Sequence, residues 1–351
     1  MKRFLLFIAG AVLLGGMPSC SRPERAEPAG AALSLRWGAA TKGAATPEER
    51  RVNTLVFYIF DDRGLLDVSY VCNAEELAAE KAEIRLKTGT KTVWAVANLS
   101  GASLARANAC TTQEELESAA ILLTDNAPGN FVMTACAGVN LSFSETPVCE
   151  LTLTRPVAKV ILGSVANRLP APYGSVVVRR AFLCNVVGNQ NIAGTADADP
   201  AAWINPEGTP DGGGREHTIG QGGYPAQAPD LTFRVLEDVV PSGGVRTYPG
   251  TEALYAFANG RSGANDGYAR PFVPTATVLM LVVQINRIEY YYPVALQNGL
   301  VRNTDNVVNI TLSGLGNTLE EGPFNKLEKG GLTALVTVSD WRDGFSYGES
   351  L

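Results

Sequence analysis

The sequence holds one histidine, His217, and no pair of its six cysteines stands in a C-x-x-C spacing. These scarcities exclude the usual zinc and dithiol arrangements and leave little for acid–base catalysis. His217 lies in a glycine-rich stretch with neither cysteine nor a second histidine near it. Gly212, Gly213 and Gly214 are not followed by the Lys and Ser/Thr of a phosphate-binding loop, and no Gly-x-Ser-x-Gly elbow presents a serine nucleophile. Charge is also sparse: 18% of residues are Asp, Glu, Lys or Arg, the formal net charge is -6, and no Lys/Arg cluster occurs. A nucleic-acid binder needs such a basic footprint, so that class is excluded. The expectation is a protein without catalytic residues, metal or cofactor.

An export signal opens the chain. Lys2 and Arg3 precede an apolar run over residues 4–14 that is too short to span a bilayer. Met17-Pro18-Ser19-Cys20 follows and resembles a bacterial lipobox, which would make residues 1–20 a lipoprotein signal with Cys20 the lipidated first residue of the mature chain. The alternative is an ordinary signal peptide cut near the same place. Residues 21–31, polar and carrying Pro23 and Pro28, read as a tether. The odd number of remaining cysteines, Cys72, Cys110, Cys136, Cys149 and Cys184, cannot all pair within one chain. Most read as small core residues, although a hairpin could bring Cys136 and Cys149 face to face.

What is abundant is β patterning. With Gly 36 and Pro 20 among 351 residues, and few helical stripes, the composition predicts many short strands joined by turns. Leu33, Leu35 and Trp37 alternate with Ser34 and Arg36, predicting a strand over 32–37. Residues 38–51 read as an exposed loop. Residues 52–60 and 65–71 form a hairpin around Asp61-Asp62-Arg63-Gly64. Residues 73–87 read as a surface turn of helix or a polar connection. Strands are expected at 91–98, 131–143 and 148–154, with a helix over 111–123 started by a Thr112/Glu115 capping box. A domain boundary falls near Arg155, giving domains 32–154 and 155–351. In the second, strands are expected at 175–187, 231–236, 252–258, 276–286, 288–296 and 306–312, with a turn at Asn286-Arg287. Residues 188–228 read as a long, functional or loosely held loop. The fold class is all-β: two β-sandwiches in series, with short helices in connections.

The last twenty residues carry the sharpest question. Leu332, Ala334, Val336 and Val338 alternate with Thr333, Leu335, Thr337 and Ser339, a turn follows at 340–344, and Phe345 and Tyr347 resume the alternation. Such a strand either closes its own sheet, with Trp341 filling an edge of the core, or pairs with another molecule.

At this point the sequence resembles the fimbrillins, the lipoprotein-derived type V pilins. The residues that carry the resemblance are Val52-Asn53-Thr54-Leu55-Val56-Phe57-Tyr58-Ile59-Phe60-Asp61, Val93-Trp94-Ala95-Val96-Ala97-Asn98 and Leu153-Thr154-Arg155-Pro156-Val157-Ala158-Lys159-Val160. Tyr291-Tyr292-Pro293-Val294, Leu300-Val301-Arg302-Asn303 and Val336-Thr337-Val338-Ser339-Asp340-Trp341 complete the set. The resemblance implies transthyretin-like sandwiches, delivery to the outer membrane through lipid, and loss of the first strand to a surface protease. A neighbouring subunit's strand then fills the groove, so the partners are other copies, the protease and the membrane. Mapped here, the removed strand carries Leu33, Leu35 and Trp37. The cut falls at Arg50 or Arg51, with Arg36 and Lys42 as alternatives, and the donor strand carries Leu332, Ala334, Val336, Val338, Trp341, Phe345 and Tyr347. The expected function is a cell-surface fimbrial subunit supporting adhesion. An uncut anchor subunit, or a monomeric surface lipoprotein binding glycan or host protein, is the alternative.

Overall fold

The computed structural model describes residues 30–39, 46–194, 203–204, 231–250, 253–261, 276–296, 299–325, 327 and 332–340. The chain enters through β1 (Ala31–Ala39) and a one-turn helix, α1 (Pro47–Arg50). A hairpin of β2 (Leu55–Phe60) and β3 (Leu66–Val71) follows. Its turn is set by Asp61, whose carboxylate accepts from the Arg63 and Leu65 amides, and by Gly64, at φ 74°, where a side chain would be strained. After α2 (Ala74–Ala79) come β4 (Lys81–Leu86) and β5 (Gly89–Ala97). Two helices, α3 (Gly101–Ala109) and α4 (Gln113–Ser118), then lead to β6 (Ala120–Leu122), β7 (Met133–Leu141) and β8 (Val148–Leu153).

Two sheets, β4–β1–β8 and β3–β2–β5–β7, close on a core built from Leu33, Leu35, Trp37, Phe57, Ile59 and Val93 among others. Strand β2 is buried on both faces. Leu55, Phe57 and Ile59 enter that core, while Val56, Tyr58 and Phe60 join a second cluster with Ala107 of α3 and Leu116 of α4. A strand covered on both sides reads as a continuous apolar run, and Leu55–Phe60 is one.

The second half contains β9 (Val157–Asn167), β10 (Val176–Cys184), β11 (Val186–Val187), β12 (Asn189–Asn191), β13 (Trp203–Ile204) and β14 (Phe233–Val240). It continues through β15 (Val245–Thr247), β16 (Leu254–Phe257), β17 (Val278–Ile285), β18 (Ile288–Ala295), β19 (Thr304–Leu312) and β20 (Leu332–Asp340). One sheet runs β14–β10–β17–β18. In the other, β9 pairs with β15 and β16 on one side and with β19 on the other, and β20 lies outside β19. The β17–β18 hairpin turns at Asn286 and Arg287, both with positive φ (49° and 69°), as a two-residue turn between twisted strands requires. The chain is therefore all-β, with two sandwiches and short helices in the connections, as its patterning predicts.

Four local expectations need correction. Residues 81–86 form a strand, because Ala82, Ile84 and Leu86 point inward while Lys81, Glu83 and Arg85 face water; charge on one face hid a period of two. The Thr112/Glu115 capping box exists, but the helix ends at Ser118 and residues 120–122 pair with β12 instead. The segment expected as an exposed loop over 38–51 continues β1 to Ala39 and contains α1, whose Glu49 is buried. The stretch expected as one loop from 188 onward begins with paired strands, β12 on β6 and β13 on β11.

Candidate strand-exchange site

Strand β1 has a neighbour on each side. It pairs antiparallel with β4, from Ala31↔Leu86 to Arg36↔Lys81, and parallel with β8, from Ser34↔Val148 to Ala39↔Leu153. Its inward side chains, Ala31, Leu33, Leu35 and Trp37, are buried, and the Trp37 ring meets Phe57 edge-on at 5.5 Å between centroids. Arg36 points outward. Full burial of a Leu side chain stabilises by roughly 1.5–3 kcal/mol, so removing this strand leaves an apolar trench flanked by two rows of unpaired backbone groups.

Beyond β1, residues 46–51 are held to the second domain. Thr46 and Glu49 form a capping box on α1, Pro47 presets its first turn, and Glu49 is thereby aimed inward. Its Oε1 is 2.8 Å from Lys159 Nζ on β9 and accepts from the Tyr255 hydroxyl on β16 at 2.6 Å. The Glu49 carbonyl accepts from Arg155 Nε at 2.8 Å and also from Arg155 Nη2. Arg155 is wholly buried between β8 and β9 and also reaches Asn303 Oδ1. Burial pushes the Glu49 carboxyl up, but the hydrogen bonds from Lys159 and Tyr255 outweigh it and hold the group below its usual range. Burial lowers Arg155 to about 10, against the opposing pull of Glu49. Burial likewise raises Asp305, the other carboxyl beside Lys159, to about 6.

Arg50 and Arg51 follow directly, both exposed, and the Arg51 carbonyl accepts from Asn98 Nδ2 at 2.7 Å. The proposed cut thus lies between the Glu49 anchor and the Asn98 clamp. None of Glu49, Lys159, Tyr255 and Asp305 was singled out by sequence reasoning. Arg155 and Lys159 stand inside one of the motifs carrying the family resemblance, the one signal that could have pointed to them.

At the other end, β20 pairs antiparallel with β19 over nine positions, from Thr304↔Asp340 to Leu312↔Leu332, and forms the outer edge of its own sheet. Leu332, Ala334 and Val336 are half-buried against the core, whereas Val338, on the same side of the strand, is 41% exposed, and Leu335 on the opposite side is 53% exposed. The structure therefore does not bring β20 to β1 within one molecule. Cys20, Lys42, His217, Trp341, Phe345 and Tyr347 lie outside the described residues. Cys72, Cys110, Cys149 and Cys184 are buried thiols and Cys136 is an exposed one; no disulfide joins Cys136 on β7 to Cys149 on β8.

Comparison with known proteins gives this arrangement a context. The sequence model of the family described as major fimbrial subunit protein (FimA) matches residues 31–141, from β1 through β7. No curated protein matches the chain. Among solved structures, a candidate cell adhesion protein from Bacteroides eggerthii is 17% identical, with 89% of this chain and 96% of that one covered at a TM-score of 0.61. A fimbrilin from Porphyromonas gingivalis is 13% identical, covering 90% of this chain and 98% of its own at 0.58. The tip fimbrial protein Mfa3 of the same organism, with a C-terminal truncation, is 13% identical, covering 88% and 100% at 0.50. At these identities the structures establish the fold. The sequence match to the fimbrial-subunit family model over residues 31–141 and the likeness of fold over the chain to the solved fimbrilin thus point the same way.

Proposed function

We propose that the protein is a fimbrial subunit that is exported as a lipoprotein, loses β1 by cleavage at Arg50 or Arg51, and polymerises when β20 of another copy fills the vacated groove. The observation that carries this reading is the contrast between the two strands. A central β1 with its apolar face buried is followed by exposed arginines, whereas β20 is an edge strand held from one side, with an apolar Val338 left uncovered on its inner face. Unpaired N–H and C=O groups beside an apolar trench are what an added strand satisfies. Adhesion is the biological outcome, and lipid on Cys20 is the expected membrane tie.

The nine-position pairing of β20 with β19 favours a second reading, a self-contained surface protein whose last strand never leaves. Val338→Glu separates the two. An exposed position tolerates charge in the monomer, so the variant keeps its native melting temperature under either reading. Donation into an apolar groove predicts loss of the detergent-resistant ladder on gels and retention of monomer. A ladder as strong as that of the parent protein defeats donation by this face.

A further inference from the structure

The seat that holds Glu49 is made by parts that cleavage would leave behind. Lys159 and Tyr255 are register partners on β9 and β16, and Arg155 precedes β9. Lys159 and the Tyr255 hydroxyl thus meet the Glu49 carboxylate, while Arg155 donates to the backbone carbonyl of the same residue. Asp305 on β19, register partner of Lys159 from the other side, supplies the second carboxyl group, and its Oδ1 has no hydrogen-bond partner among the described residues. If the chain is cut after Arg50 or Arg51, as proposed above and as this inference requires, Glu49 departs with β1. Of the two described carboxyl groups beside Lys159 and Arg155, Glu49 and Asp305, the cluster then keeps Asp305.

We propose that the vacated Glu49 seat, in which Lys159 and Tyr255 would hold a carboxylate and Arg155 the backbone carbonyl beside it, is a carboxylate-binding site, and that an acidic residue from the C-terminal segment of a second copy of this chain occupies it. Charge supports the occupant: residues 340–351 contain Asp340, Asp343 and Glu349 against the single base Arg342. Reach supports it too. Glu49 follows Trp37 by twelve residues, and Glu349 follows Val336 by thirteen and Val338 by eleven. In a strand that enters the groove in the direction of β1, parallel to β8, Glu349 is therefore separated from the trench by a similar number of residues to Glu49 now, enough chain to reach the seat. The apolar face supplies most of the affinity in this scheme, and the seat fixes the register of the inserted strand, since only one depth of insertion brings the carboxylate to Lys159 and Tyr255.

The test uses the full chain, cut with trypsin and checked by N-terminal sequencing for a new start at Arg51 or Val52. Cut and uncut protein are incubated with excess labelled peptide spanning residues 332–351, and capture is followed by fluorescence anisotropy at pH 7. A second peptide carries Asp340→Asn, Asp343→Asn and Glu349→Gln, so no folding of a variant is at stake. The native peptide should be captured by cut protein alone, and the neutralised peptide should bind about tenfold more weakly, the scale of one charge-assisted hydrogen-bonded contact. Cut protein carrying Lys159→Gln should bind the two peptides with nearly equal affinity. Equal affinity of both peptides for the cut parent protein overturns the carboxylate seat while leaving strand exchange standing. Capture of neither peptide, or resistance to cutting at Arg50 and Arg51, overturns strand exchange and the seat with it.

Discussion

At the scale of single residues, the junction cluster sets opposing pH responses. Asp305 is raised from 3.8 to about 6, chiefly by burial, with Lys159 pulling it down and Glu49 pushing it up. Between those values the folded chain holds a proton that the unfolded chain has released, so this group's contribution to stability falls as pH rises through 4 to 6. Glu49 has the opposite sign: its carboxyl is depressed, and its contribution is present above 4.5 and lost as pH drops through its folded value. Asp305→Asn should therefore flatten the 4-to-6 limb of a stability-versus-pH curve. At pH 7 it should stabilise the fold by on the order of 1–3 kcal/mol, measured by urea unfolding. A variant less stable at pH 7 than the parent would refute the assignment of Asp305 as a strained carboxylate.

The elements differ in how firmly they are held, and this difference is open to direct measurement. Leu35 sits at the centre of β1 with strands on both sides, while Val336 is half-buried on an edge. Leu35→Ala should cost ~2–5 kcal/mol, and Val336→Ala about 1 kcal/mol or less, in the uncut monomer. A larger loss at Val336 would mean that β20 belongs to its own core more than its edge position suggests. Element type is legible where the apolar pattern is clean, on one face in β1 and β20 and on both in β2. Strand β4 escaped because Lys81, Glu83 and Arg85 outweigh its three inward residues in a charge count. The helix expected over 111–123 ends at Ser118 because, although Ala119 and Ala120 suit a helix, pairing with Asn189–Asn191 recruits 120–122 into a sheet.

In the molecule as a whole, the two sandwiches are not merely strung together. One apolar cluster takes Val56, Tyr58 and Phe60 from β2 and Leu116 from α4 together with Val157 and Phe257 of the second half, and Phe131 packs on Tyr255 at 4.7 Å. The β6–β12 pairing and Arg302, which donates to Thr134 and Thr154, add polar ties across the same boundary. A shared core couples unfolding of its parts, so calorimetry of the uncut protein should record a single transition. Two well-separated transitions would mean that the shared cluster is too weak to couple the domains.

Sequence by itself determined the all-β class, the strand alternation of β1 and β20, the exposed arginine pair and the scarcity of catalytic groups. Each follows from local period, turn chemistry or composition, which need no knowledge of neighbours. Only the tertiary structure decided that β1 is central and β20 peripheral, because strand order depends on contacts between residues far apart in the chain. The same reason hid the junction cluster: Glu49, Arg155, Lys159, Tyr255 and Asp305 span more than 250 residues and meet only when β9, β16 and β19 lie side by side.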